Sequence, residues 1–165
     1  MPIALGIDPG SRITGYGLVT KQGAELKLIA AGQFRANQRV ALPYRLNQIY
    51  CGLQEVIKSY GPDEVAIEDI FYAKNIRSAI RLSHMRGIAL LAAAAADLPV
   101  YEYAATAIKL AVVGYGRASK EQVNHMVKQL LNIDETLSLD ASDALAAAIC
   151  HINRSSFLKR QRRCE

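Results

Sequence analysis

Gly6-Ile7-Asp8-Pro9-Gly10-Ser11-Arg12-Ile13-Thr14-Gly15-Tyr16-Gly17 is the stretch from which the fold can be read. Residues Ile3 to Asp8 form an apolar run without alternation, Pro9-Gly10 interrupts it, and Gly15 to Thr20 supplies a second extended run. Two strands joined by a turn are predicted, with a carboxylate at the end of the first. A third extended run, Leu26 to Phe34, follows the Gln22-Gly23 turn, so the first 35 residues predict an antiparallel three-strand unit.

Downstream the period changes. Leu42, Leu46, Ile49, Leu53, Val56, Ile57 and Tyr60 recur at helical spacing until Gly61-Pro62. Glu64 to Ile70 returns to a strand pattern. Asn75 to Asp97 reads as a long helix whose end, Ala92 to Ala96, carries side chains small enough for close helix approach. Val100 to Tyr103 is a short strand, Ala104 to Val113 is helical, and Gly114-Tyr115-Gly116-Arg117 is a loop. Ser119 and Gln122 form a capping box for the next helix, and a last helix is expected from near Asp140 to about Ile152. Three leading strands followed by alternating helices and strands imply an α/β fold with a mixed five-stranded sheet.

The 165 residues suffice for one core, so a single domain is expected over residues 1–153. The net charge is +5; residues 154–165 hold five basic side chains and Glu165, a net +4, leaving the body at +1. This basic tail is expected to lie beyond the last helix and to be disordered. With 51% hydrophobic and 21% charged residues the chain has the composition of a soluble folded protein. Its longest apolar stretch, Gly87 to Ala96, is about half of a membrane span. The N-terminus lacks the basic flank and apolar run of a secretory signal, which gives an expectation of a cytoplasmic protein. Cys51, Cys150 and Cys164 are scattered and form no C-x-x-C pair, which favours reduced thiols. His84, His125 and His151 show no ligand spacing and read as surface or packing residues.

Four acids stand out. Asp8 ends the first strand, Glu68 interrupts the strand Val65-Ala66-Ile67-Glu68-Asp69-Ile70, and Asp140 and Asp143 share one side of a first helical turn. Singly, each has an ordinary explanation: a turn residue, or a helix cap favoured by the macrodipole. Together they make a set of oxygen ligands suited to a hard divalent cation such as Mg²⁺.

These residues carry a resemblance. The stretch from Gly6 to Gly17, then Ala66-Ile67-Glu68, Phe71-Tyr72-Ala73-Lys74-Asn75, Val112-Val113-Gly114 and Asp140-Ala141-Ser142-Asp143-Ala144-Leu145-Ala146 resemble the RuvC family of Holliday-junction resolvases, over roughly residues 3–152. The resemblance implies an RNase H-like fold and a homodimeric endonuclease that resolves four-way DNA junctions in recombination and repair. It further implies Mg²⁺, two ions per site with Mn²⁺ as an alternative, and work beside the branch-migration proteins RuvA and RuvB. By position Asp8, Glu68, Asp140 and Asp143 match the catalytic, metal-holding acids. Asp69 departs from the family, which has an uncharged polar residue there; an extra acid would either add a metal contact or repel DNA.

Phe71 and Tyr72 follow the Glu68 strand, and Lys74, Arg77 and Arg81 recur along one helical face. Beside an acidic metal cluster such cations hold phosphates, and an aromatic there stacks on an unpaired base. Lys109 and Lys120 flank the glycine loop and match family residues that contact DNA near the scissile phosphate. A homodimer is expected on the helix from Asn75 to Asp97, because a four-way junction offers two strands of like polarity to a two-fold protein. Other readings are an ATPase of the actin and Hsp70 kind, which needs two lobes, an RNase H-like nuclease on ribosomal RNA precursors, and a junction-binding scaffold without chemistry.

Overall fold

The structure, a computed structural model, describes residues 2–69 and 76–161, with side chains as far as Ser155. In chain order the elements are β1 (Ile3–Asp8), β2 (Ile13–Gln22), β3 (Glu25–Arg35), α1 (Leu42–Tyr60), β4 (Glu64–Asp69), α2 (Ile76–Ala94), β5 (Val100–Ala104), α3 (Ala105–Val113), α4 (Lys120–Leu131) and α5 (Leu139–Gln161). The sheet order is β3-β2-β1-β4-β5. β1 to β3 pair antiparallel, whereas β1–β4 and β4–β5 are parallel. This is the mixed five-stranded α/β sheet expected of an RNase H-like domain.

Strand alternation divides the core in two. Ala4, Val19 and Ala66 face α3, α4 and α5, where they pack with Leu145, Ala148 and Ile149. Leu5, Ile7, Leu18, Val65 and Ile67 face α1 and α2, against Leu53, Met85 and Ala89. Ala92 and Ala93 are fully buried in this second core, while Ala94 is exposed. The first two alanines of the run therefore pack on their own sheet.

The α5 side of β1 and β2 is paved with glycine. Gly6 pairs across the strands with Gly17, and Asp8 with Gly15. A Cβ at Gly6 would collide with the carbonyl of Ala144, one at Gly15 with the carbonyl of Asp140, and one at Gly17 with the side chain of Leu145. Helix backbone thus lies directly on strand backbone, an approach that glycine alone permits.

α5 runs to Gln161, past the end expected near Ile152. No Gly or Pro occurs from Arg154 to Gln161 to stop it, so the basic segment begins inside a helix rather than beyond one. Arg154 lies over the Tyr103 ring at 5.5 Å from its centroid. His151, expected as a surface or packing residue, is 1% exposed and bonded on both ring nitrogens. Its Nε2 is 2.6 Å from the Glu64 carboxylate and its Nδ1 is 2.7 Å from the Tyr103 hydroxyl. Burial pushes the Tyr103 phenol up to about 12, and its hydroxyl shares a hydrogen bond with Nδ1 while Nε2–H donates to the Glu64 carboxylate, which can only accept. Cys51 and Cys150 are free thiols. No described helix is long and apolar enough to cross a membrane.

Gly6→Ala should cost about 1–3 kcal/mol, the usual range for overpacking a close contact. At about 2–4 °C per kcal/mol for a chain of this size, thermal melting should show a drop of several degrees. Melting at the wild-type temperature would mean that α5 is free to lift from the sheet.

Candidate active site

The same alternation aims the acids. Asp8 is two residues beyond Gly6 and Glu68 two beyond Ala66, so both side chains emerge on the α5 side at the same end of adjacent parallel strands, just past the Ile7–Ile67 pair. α5 brings Asp140 and Asp143 to this end. The helix begins at Leu139, and its cap is the Ser138 hydroxyl, which accepts from the Ala141 N–H at 3.3 Å. Neither aspartate is needed as a cap, and both remain available to the site.

Asp8, Glu68 and Asp143 line one cleft of ≈ 720 Å³ together with Lys109, Lys120, Asp69 and Thr106. Asp140 lies outside the lining, yet its charge reaches Asp8. The Lys120 ammonium donates to Asp143 Oδ2 at 2.6 Å. It is delivered by the first residue of α4, behind a complete capping box in which the Ser119 side chain accepts from the Gln122 N–H and the Gln122 side chain accepts from the Ser119 N–H. Lys109 comes from α3 and lowers the cost of ionising Glu68.

Burial pushes the Asp8 carboxyl up to about 7, and Asp143, Glu68 and Asp140 add to the rise while Lys120 opposes it. Glu68 is raised for the same reasons, burial first and then Asp143. Like charges crowded in a half-dry cleft are costly unless a cation joins them. Among the described residues no three acids, histidines or cysteines are drawn together tightly enough to ligate one metal; here Asp143 spends an oxygen on Lys120. The donor set is nevertheless all carboxylate oxygen, and its mutual repulsion is what a divalent cation relieves, so the residues fit Mg²⁺ or Mn²⁺.

Of the expected DNA contacts, Lys109 and Lys120 stand in the cleft. Arg77 and Arg81 are exposed on α2, outside the cleft lining. Phe71, Tyr72 and Lys74 lie outside the described residues. Sequence reasoning missed Arg86, which comes from α2 to meet Asp69 at 3.7 Å and also bonds Glu102. Asp69 stood out in the sequence only as an extra acid beside the site, and no spacing pointed to its partner.

The family model for crossover junction endodeoxyribonuclease RuvC matches residues 4–151. A crossover junction endodeoxyribonuclease RuvC from Vibrio parahaemolyticus is 52% identical over 96% of this chain and 91% of its own length. One from Geotalea uraniireducens is 51% identical over 92% of this chain and 88% of its own. Among solved structures, T. thermophilus RuvC in complex with a Holliday junction substrate superimposes with a TM-score of 0.90 at 30% identity, covering 95% of this chain and 96% of that one.

A carboxyl raised to about 7 in the folded chain binds protons more tightly than in the unfolded chain, where it titrates near 3.8. Its effect on stability is neutral below pH 4 and unfavourable above pH 7, so stability is lost as pH rises between them. In metal-free protein, Asp8→Asn should therefore raise the melting temperature at pH 8, with the gain shrinking toward pH 4. A variant that melts lower at pH 8 would show that the ionised Asp8 is well paired.

Proposed function

Because the chain belongs to the crossover junction endodeoxyribonuclease RuvC family, we propose that it resolves four-way DNA junctions, hydrolysing phosphodiester bonds in two strands of like polarity with the help of divalent metal ions. The observation that supports this most is the cleft itself, where Asp8, Glu68 and Asp143 meet two lysines at the ends of β1, β4 and α5. Asp8, Glu68, Asp140 and Asp143 are the residues that would hold Mg²⁺ or Mn²⁺. Two such ions would supply an activated water and would offset the charge that develops on the departing 3′ oxygen. Lys120 and Lys109 hold the scissile phosphate against the repulsion of the acids. Lys120 already sits in the acid cluster, so an entering phosphate exchanges one anionic partner of that ammonium for another. Arg77, Arg81 and Lys74 contact the flanking backbone, and Phe71, with Tyr72, stacks on bases unpaired at the crossover. We place its work in the cytoplasm, alongside the branch-migration proteins RuvA and RuvB, on the strength of its family.

One acid cluster per chain requires two chains for paired nicks. We place the homodimer contact on the outward side of α2, where Ile76, Ile80 and Leu91 are 78%, 51% and 53% exposed and, at i, i+4 and i+15, form one stripe.

Given a synthetic four-way junction, a matched duplex and an RNA–DNA hybrid, the protein should cut the junction preferentially and only with Mg²⁺ or Mn²⁺. Asp8→Asn, Glu68→Gln, Asp140→Asn and Asp143→Asn should each abolish cutting while junction binding persists in gel shifts. Preferential cutting of the hybrid would point to an RNA substrate, and binding without cutting to a scaffold.

Ile80→Asp with Leu91→Asp should give a folded monomer by sedimentation that nicks junctions singly. Paired nicking by a sedimentation monomer would refute the two-chain argument.

A further inference from the structure

We propose that Arg86 is a positioning residue for the cleft, clamping Asp69 on the α2 side of the sheet so that Glu68, and not its neighbour, presents negative charge to the substrate. Asp69 ends β4 one residue after Glu68, and alternation sends the two side chains to opposite faces. Glu102 lies on the Asp69 face as well, since it is paired with Ile67 two residues earlier in β4. Arg86 reaches both acids from α2: its Nη2 bonds the Glu102 carboxylate and lies 3.7 Å from Asp69 Oδ1. The guanidinium is largely enclosed, with its side chain 23% exposed and its Nε buried without a hydrogen-bond partner among the described residues. Its hold on the strand ends therefore runs through the Nη side.

Asp69 nonetheless lines the cleft. Without Arg86 it would add an uncompensated charge to a site already crowded with Asp8, Glu68 and Asp143. At low ionic strength such a charge is felt over about 10 Å or more, far enough to reach a bound phosphate. The pairing also decides what the additional acid does. Asp69 is turned toward an arginine that it shares with Glu102 behind the strand, so its charge is drawn to that face and it is not an added metal contact.

This inference rests on the cleft cutting junctions, and that premise is tested separately by the unmodified protein. A double-mutant cycle of Arg86→Gln and Asp69→Asn separates clamp from scaffold. Junction affinity is measured in EDTA at low and high salt, and single-turnover cleavage is measured with Mg²⁺. Arg86→Gln should bind about 3- to 10-fold more weakly at low salt, with the gap closing at high salt, and should cut more slowly. Adding Asp69→Asn should restore most of both, which loss of a mere strut would not allow. Wild-type behaviour of Arg86→Gln, or a double variant as impaired as Arg86→Gln alone, overturns the proposal. Should Arg86→Gln fail to fold, Asp69→Asn alone decides: a clamped Asp69 presents little charge to the substrate, so low-salt affinity should stay within about twofold of the unmodified protein, and a gain of about 3- to 10-fold overturns the clamp. If the unmodified protein cuts no junction, the functional reading fails and not the clamp.

Discussion

Contact between the backbone of α5 and the glycines of β1 and β2 is the constraint on which the rest of the structure depends. Gly6, Gly15 and Gly17 remove the side chains that would normally separate a helix from a sheet, and Ala144 and Asp140 place their carbonyls in the space left. That approach brings Asp143 within reach of acids on β1 and β4. With ordinary residues at these positions α5 would stand farther off and the acids would answer to separate surroundings. The alanines of α5 serve the same end, since Ala141, Ala144 and Ala148 are all buried with almost no bulk.

The acid cluster works against the fold that creates it. Burial and like charge disfavour ionised Asp8 and Glu68, and Lys120 relieves only part of this. The opposing stabilisation comes from the two cores on either side of the sheet and from the polar pins at its other end. Active sites commonly hold such unfavourable charge, and here the unfavourable charge is also the affinity for a cation.

How far the sequence could be read depended on the range of the interactions involved. Asp8 and Glu68 were legible because a carboxylate closing an apolar strand run is a local anomaly, and their order along the chain matches a known pattern. The Ser119–Gln122 cap was legible for the same reason. The start of α5 was read near Asp140, whereas Ser138 takes the capping role two residues earlier; both residue types cap well, and only the fold chooses between them. His151 with Glu64 and Tyr103, and Arg86 with Asp69 and Glu102, join residues distant in sequence through helix–sheet packing, so no periodicity announces them. The extension of α5 beyond Ile152 went unread because a run of basic residues resembles a solvated tail as much as a helix end.

The His151 pin has a mechanical consequence. It fastens α5 to β4 and β5 eleven residues from Asp140, so the helix is a lever with its fulcrum at His151 and the aspartates at its tip. At a rise of 1.5 Å per residue the arm is about 16 Å long, and a tilt of only about 4° carries the carboxylates about 1 Å. A displacement of that size is enough to cost a catalytic geometry roughly a hundredfold in rate. The accuracy of the cleft is thus set partly by the stiffness of a joint about three helical turns along α5 from the aspartates it steadies.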